Sequence, residues 1–301
     1  MQCTQHTVGD IPADSESIYL TITPYNSGDS THTVSELSLK TLLDRFVGTV
    51  EELTIVNSRT GIRLTDTSIL GTMPRLSYLN IDTDTPIVLE SLRDCTSLDE
   101  VYLYGCTVDI KELPSSVSSL YMERCDCNLE SIAAAIPKLY SLVLKDMSVG
   151  QLPDMTGLDR LSLLKIVDCT VTGVHESVYS LGLEVLEIVH HVNGTDTLQV
   201  LVLKGSLSSQ KIDSIVLYGN IQADSLTIEH RPSNILIKDN IVISRPPTMK
   251  KGTELMDVRR CPNIKIYAAD LYNNVDRLVI DSHKYLNADD DYRLPIQIVS
   301  D

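Results

Sequence analysis

Between Leu76 and Ile188 the apolar residues keep returning in one spacing. The sets are Leu76, Leu79, Ile81; Leu98, Val101, Leu103, Cys106, Val108; and Val117, Leu120, Met122, Cys125, Cys127. They continue as Leu139, Leu142, Leu144, Met147, Val149; Leu161, Leu164, Ile166, Cys169, Val171; and Leu183, Leu186, Ile188. The fourth-position residues Leu79, Val101, Leu120, Leu142, Leu164 and Leu186 are 22, 19, 22, 22 and 22 residues apart. The centre of each set alternates with period two, which predicts a short strand with every second side chain turned inward. The other apolar positions then face inward from a returning arc. One such turn of chain cannot bury its apolar side alone, so several must stack and the ends must be capped.

The flanks are less regular. Ile18 to Ile22 reads as a strand, and Ser35 to Val47 carries Leu39, Leu42, Leu43 and Phe46 at helical spacing with Gly48 as a stop. Val50, Leu53 and Ile55 begin a first, degenerate unit. After Ile188 the strand-like triplets come too often to close a full turn each: Leu201 to Leu203, Ile215 to Leu217, Leu226 to Ile228, and Ile235 to Ile237. Ile215 and Ile235 are one unit apart, so Leu226 is expected on a second strand of the same turn. Asn263 to Ile266 and Leu278 to Ile280 read as later strands, and Pro246 to Gly252 as an exposed loop. The expected organisation is a cap over 1–48, a repeat region over 49–192, and a sheet-rich part over 193–301. The last either continues the repeats or forms a small antiparallel β domain.

The unit resembles the leucine-rich repeat, L-x-x-L-x-L-x-x-N/C-x-L. Leu-Pro in KELPSSV (Lys111 to Val117) and GQLPDMTGL (Gly150 to Leu158) stands where many members of that family have it. Position nine departs from the usual Asn and is filled by Asp84, Cys106, Cys125, Met147, Cys169 and His191. The resemblance implies an α/β-type repeat fold, a leucine-rich repeat solenoid with a parallel concave β-sheet. An N-terminal β/α cap and an irregular, more β-rich C-terminal part would complete it.

Composition narrows the function. The chain of 301 residues has no Trp, a single Phe and 13 Tyr, so its core is built from Leu, Ile and Val. Twenty-five basic residues against 41 acidic give −16 with no basic block, which argues against nucleic acid and anionic membranes as ligands. Seven cysteines, several on the apolar periodicity, fit reduced buried thiols better than a disulfide framework. The start MQCTQHTVGD has neither a basic nor an apolar signal region, and no apolar run is long enough to span a membrane. The expectation is an intracellular, cytoplasmic protein, in which Asn193-Gly194-Thr195 is a turn rather than a glycosylation site.

Chemistry is sparse. Cys125-Asp126-Cys127 lacks the spacing of a zinc knuckle, and both cysteines fall on core positions. His190-His191 would point to opposite faces of a strand, and Asp289-Asp290-Asp291 lacks the ligand pattern of a calcium loop. No nucleophile elbow or phosphate-binding glycine loop is present. No catalysis, cofactor or metal is expected.

The letters between the apolar ones are more informative. Position three gives Tyr78, Glu100, Ser119, Ser141, Leu163 and Val185; position five gives Asn80, Tyr102, Tyr121, Val143, Lys165 and Glu187. Position seven gives Asp82, Tyr104, Glu123, Lys145, Val167 and Val189. These columns predict a partner-binding surface of Tyr78, Tyr102, Tyr104, Tyr121, Glu123, Arg124, Lys145, Lys165 and Asp168, with Val143, Leu163, Val167, Val185 and Val189 as an apolar patch beside it. The expected function is a non-enzymatic scaffold that holds a protein partner. A structural subunit of a larger cellular or viral assembly, or the substrate-recognition module of a ubiquitin-ligase-type complex, are the alternatives.

Overall fold

The computed structural model describes residues 11–22, 35–58, 60–175, 177–178 and 181–189, save the side chains of 172–174, and the backbone of strands lying within 201–298. Cys3, Cys261, His190, His191, Asn193 to Thr195, Asp289 to Asp291, Pro246, Pro247 and Lys250 to Gly252 lie outside the described residues, while Thr248 and Met249, expected in a loop, form a short strand paired with Thr227 and Ile228. The chain divides into two compact units, Met1–Leu139 and Tyr140–Asp301.

The first unit holds strands β1 (Ser17–Thr21), β2 (Glu36–Ser38), β3 (Glu52–Asn57), β4 (Arg63–Thr65), β5 (Tyr78–Leu89), β6 (Glu100–Asp109), β7 (Ser119–Glu123) and β8 (Asp126–Asn128). Its helices are α1 (Leu39–Leu43) and α2 (Ile132–Ala135). β1, β3, β5, β6 and β7 pair in that order, all parallel. Their register places Ile18 by Leu53, Leu53 by Leu79, Leu79 by Val101 and Val101 by Leu120, so apolar residues of successive strands stack on one side. That side is fully buried at Leu79, Ile81, Val101, Leu103, Leu120 and Met122. Alternate residues face the other way, exposed at Ser17, Tyr19 and Glu52 and half-buried from Tyr78 to Asp82, from Glu100 to Tyr104 and along β7.

Between strands the chain returns through short turns that bring Leu76, Leu98, Val117 and Leu139 into the same core. Each closes with one bond: Leu76 N–H donates to Met73, Leu98 to Cys95, Val117 to Pro114 and Leu139 to Ile136. Burying a Leu or Ile side chain stabilises by roughly 1.5–3 kcal/mol. The regularly spaced leucines thereby offset the entropy lost in ordering the irregular arcs.

The helix expected over Ser35 to Val47 is shorter. Residues Glu36–Ser38 form β2 against β4, Ser38 accepts a bond from the Thr41 N–H as the helix cap, and the 3₁₀ turn Asp44–Phe46 follows α1. Ladder bonding from β4 outcompetes the helical periodicity at those first residues. Asp84 is also not the ninth-position residue of its strand. Ile87 pairs with Cys106, and the register jumps between Asp82 and Ile87. Thr83 stays buried opposite Asn57, its Oγ1 donating to the Thr85 carbonyl at 2.8 Å, and Asp84 and Pro86 bulge outward and are exposed.

The second unit repeats the pairing logic with β9 (Ser141–Lys145), β10 (Ser148–Leu152), β11 (Leu163–Val167), β12 (Thr170–Val174) and β13 (Val185–Val189). Further strands are β14 (Leu201–Leu207), β15 (Ser214–Tyr218), β16 (Ile221–Ile228), β17 (Asn234–Lys238), β18 (Ile241–Ile243), β19 (Thr248–Met249), β20 (Leu255–Arg259), β21 (Ile266–Tyr267), β22 (Leu278–Ile280), β23 (Leu286–Asn287) and β24 (Ile296–Ile298). β9, β11, β13, β15, β17, β20, β22 and β24 pair parallel in sequence. Leu201 and Leu226 lie in a separate parallel sheet of β14, β16 and β18. The fold is of α/β type, a mostly parallel sheet with few helices. Among the described residues no helix is long and apolar enough to cross a membrane.

The residue after the outward strand is left-handed in four successive cases: Gly105 (φ 71°), Arg124 (53°), Asp146 (49°) and Asp168 (52°). This turn rotates the next residue inward, which is why Cys106, Cys125, Met147 and Cys169 are buried.

Candidate functional site

In the first unit, β5, β6 and β7 hold their outward side chains in three columns. Tyr78, Glu100 and Ser119 align, as do Asn80, Tyr102 and Tyr121, and Asp82, Tyr104 and Glu123. Long side chains on neighbouring strands reach both direct and diagonal neighbours. The four tyrosine rings therefore form one chain of contacts, Tyr78 to Tyr102 at 5.4 Å, Tyr102 to Tyr121 at 6.0 Å, and Tyr121 to Tyr104 at 5.1 Å between centroids. Those separations are in the favourable range for offset or tilted rings.

The hydroxyls are held as well. Tyr102 donates to Glu100 Oε2 at 3.2 Å and Tyr121 to Glu123 Oε2 at 2.7 Å. Burial and the Glu100 carboxylate push the Tyr102 phenol up, and burial with the charges of Glu123 and Asp82 does the same for Tyr104. Both phenols stay neutral donors at physiological pH. Sequence reading missed these pairs, although Glu-x-Tyr and Tyr-x-Glu at a separation of two on a strand share a face and signal them.

The face is acidic. β3, β5, β6 and β7 turn Glu52, Asp82, Glu100 and Glu123 to it, and none of these strands contains Lys or Arg. Asn80, beside Tyr102, has its Oδ1 buried without a hydrogen-bond partner. An acceptor left so costs on the order of 1–3 kcal/mol. Arg124 stands at the rim, exposed, with its Nε 3.8 Å from Glu123 Oε1. An open cavity of about 400 Å³ adjoins it, lined in part by Asp84, Gly105, Arg124 and Asp126.

The other expected site residues belong to the second unit. Lys145 ends β9, Lys165 is central in β11 with its Nζ 2.6 Å from Glu187 Oε2, and Asp168 occupies the left-handed turn after β11. Val143, Leu163, Val167, Val185 and Val189 are half-buried on the same face of β9, β11 and β13 as Lys165.

That unit also joins Asp154, His175 and Ser177, a trio the sequence reading did not single out. Ser177 Oγ is 3.0 Å from His175 Nδ1, and Asp154 Oδ1 is 3.6 Å from the same nitrogen. A nucleophile relay needs the serine and the carboxylate on opposite ring nitrogens. Here Ser177 instead accepts from the Met155 N–H at 2.8 Å, and hydrogen bonds from Thr156 bring the Asp154 pKa down to about 2. The trio fastens two loops.

The cysteines line the core. Cys125 donates to the Leu103 carbonyl of the preceding strand at 3.3 Å and Cys95 to the Leu70 carbonyl at 3.1 Å, a weak version of the bond an Asn would make. Burial pushes Cys95 and Cys169 up to about 11, and the hydrogen bond with Cys125 together with burial raises Cys106. Cys127, by contrast, is half-buried rather than in the core, at the mouth of a groove beside Val108.

Neither protein-family models, nor curated proteins, nor solved structures contain a match to this chain.

Proposed function

We propose that the chain is a non-enzymatic interaction scaffold of the leucine-rich repeat kind, a solenoid that holds a protein partner on its concave face. The observation that carries this reading is the chain of four tyrosine rings at 5.1–6.0 Å, half-buried, with hydroxyls held by Glu100 and Glu123. Pre-ordered tyrosines offer large contact area at little further entropic cost, and such residues dominate the energetics of interfaces. The parallel pairing that runs on from β13 through β15 to β24 supports the C-terminal part as a continuation of the solenoid rather than an antiparallel domain. Free, buried thiols support an intracellular setting.

The test is affinity purification from the native source with the intact chain and with a Tyr102→Ala, Tyr121→Ala double variant. Loss of about 2 kcal/mol or more of partner affinity is expected. Equal recovery of every partner by a folded double variant overturns the reading.

A second reading, a structural subunit of a larger assembly, draws on the outward Val143, Leu163, Val167, Val185 and Val189, because contiguous apolar surface marks contact sites. Size-exclusion chromatography separates the two. A monomeric chain favours the scaffold, and obligate association favours the subunit.

A further inference from the structure

We infer that the tyrosine face takes an arginine-bearing, extended segment of the protein partner; this rests on the scaffold reading above. Three observations converge on it. The face offers ring planes, and a guanidinium stacks on them where an ammonium makes only a point contact. It offers carboxylates at both ends of the ring chain, Glu100 at the start of β6 and Glu123 at the end of β7, and a planar fork matches a carboxylate with two parallel bonds. It also contains a buried acceptor without a donor, Asn80 Oδ1, beside Tyr102. A side-chain donor entering between the rings would satisfy it, while the carboxylates of an anionic segment would bring no such donor and would face Glu52, Asp82, Glu100 and Glu123.

The layout sets a spacing. Glu100 is level with Ser119 in the register and Glu123 with Tyr104. The two carboxylates therefore start about 13 Å apart along the strands, at roughly 3.3 Å per residue. An extended segment meets both with arginines about four residues apart. Arg124 is one cation that opposes this. It lies 3.8 Å from Glu123, so an incoming arginine competes with it.

The test is titration of the full chain with three synthetic peptides of one length, which alternate glycine with arginine, with lysine or with glutamate. The arginine peptide is expected to bind most tightly and to weaken with salt. The Glu100→Gln, Glu123→Gln variant keeps the acceptors of the tyrosine hydroxyls but not the charge, and should lose affinity on the order of ten-fold. Arg124→Asn, a residue that tolerates the left-handed turn, should gain affinity. Equal binding of the arginine and glutamate peptides, or an unchanged affinity of the glutamine variant with an unchanged circular dichroism spectrum, overturns the inference. The native partner separates the two levels. Capture that needs Tyr102 and Tyr121 but not the two glutamates sinks the arginine segment and keeps the scaffold. Capture indifferent to the tyrosines sinks the scaffold reading itself.

Discussion

Gly105 runs so close to Thr83 that a Cβ on it would stand 2.1 Å from the Thr83 carbonyl oxygen, in a backbone conformation of φ 71°. The contact joins β5 to β6 at the point where the chain turns from the tyrosine face toward the core. Gly105→Ala adds a backbone clash to a left-handed strain and should destabilise by about 3 kcal/mol or more. Urea denaturation of the variant measures this, and wild-type stability would contradict the close approach.

Asp146 sits in the equivalent turn of the second unit at φ 49°, exposed, with its N–H donating to the Val167 carbonyl at 3.0 Å. That conformation strains a non-glycine residue, although Asp tolerates it better than most. Asp146→Gly should raise stability by about 0.5–1 kcal/mol. A lower thermal midpoint in the variant would show that its side chain matters more than its backbone.

Folding raises the thiols of Cys95 and Cys169 from 9.0 to about 11. Groups raised in this direction stabilise fully below the unfolded value and lose that contribution as pH climbs through the folded one. Stability is expected to hold up to pH 9 and to fall between 9 and about 11, with Tyr102 and Tyr104 adding in the same sense at their own higher range. A urea midpoint that stays level across that window would refute the assignment. At neutral pH, Cys95, Cys106 and Cys169 should resist alkylation in the native protein and react on unfolding, which peptide mass spectrometry resolves site by site.

Tyr121→Phe removes the 2.7 Å bond to Glu123 and leaves the ring chain in place. Partner affinity should then change little, while Tyr121→Ala weakens it by roughly 1–2 kcal/mol. If the phenylalanine variant proves as weak as the alanine one, the hydroxyl rather than the ring area carries the contact.

The columns of outward residues are legible in the sequence because strand side chains alternate with period two, and a shared spacing places equivalent letters side by side. Tyr78, Tyr102, Tyr104 and Tyr121 group on that ground alone. Asp84 escapes it for the opposite reason, since the residues inserted after the buried Thr83 bulge out and leave no trace in the hydrophobic count. The left-handed turn is hinted at only by Gly105; Arg124, Asp146 and Asp168 adopt it under the pull of their neighbours. At the start of the chain the helical spacing of Leu39, Leu43 and Phe46 is real, but Glu36 to Ser38 are claimed by β4, a partner 27 residues away in the pairing of Glu36 with Arg63. The division of Arg124 from Lys165 between two units depends on long-range contacts that no local pattern encodes.

The rings of Tyr78, Tyr102, Tyr121 and Tyr104 have an optical consequence. With no tryptophan in the chain, ultraviolet emission must come from tyrosine. Rings 5.1–6.0 Å apart pass excitation among themselves before they emit, which depolarises the light. A ligand that shifts these rings or quenches one of them changes their share of the emission, so the face carries an unlabelled reporter of occupancy.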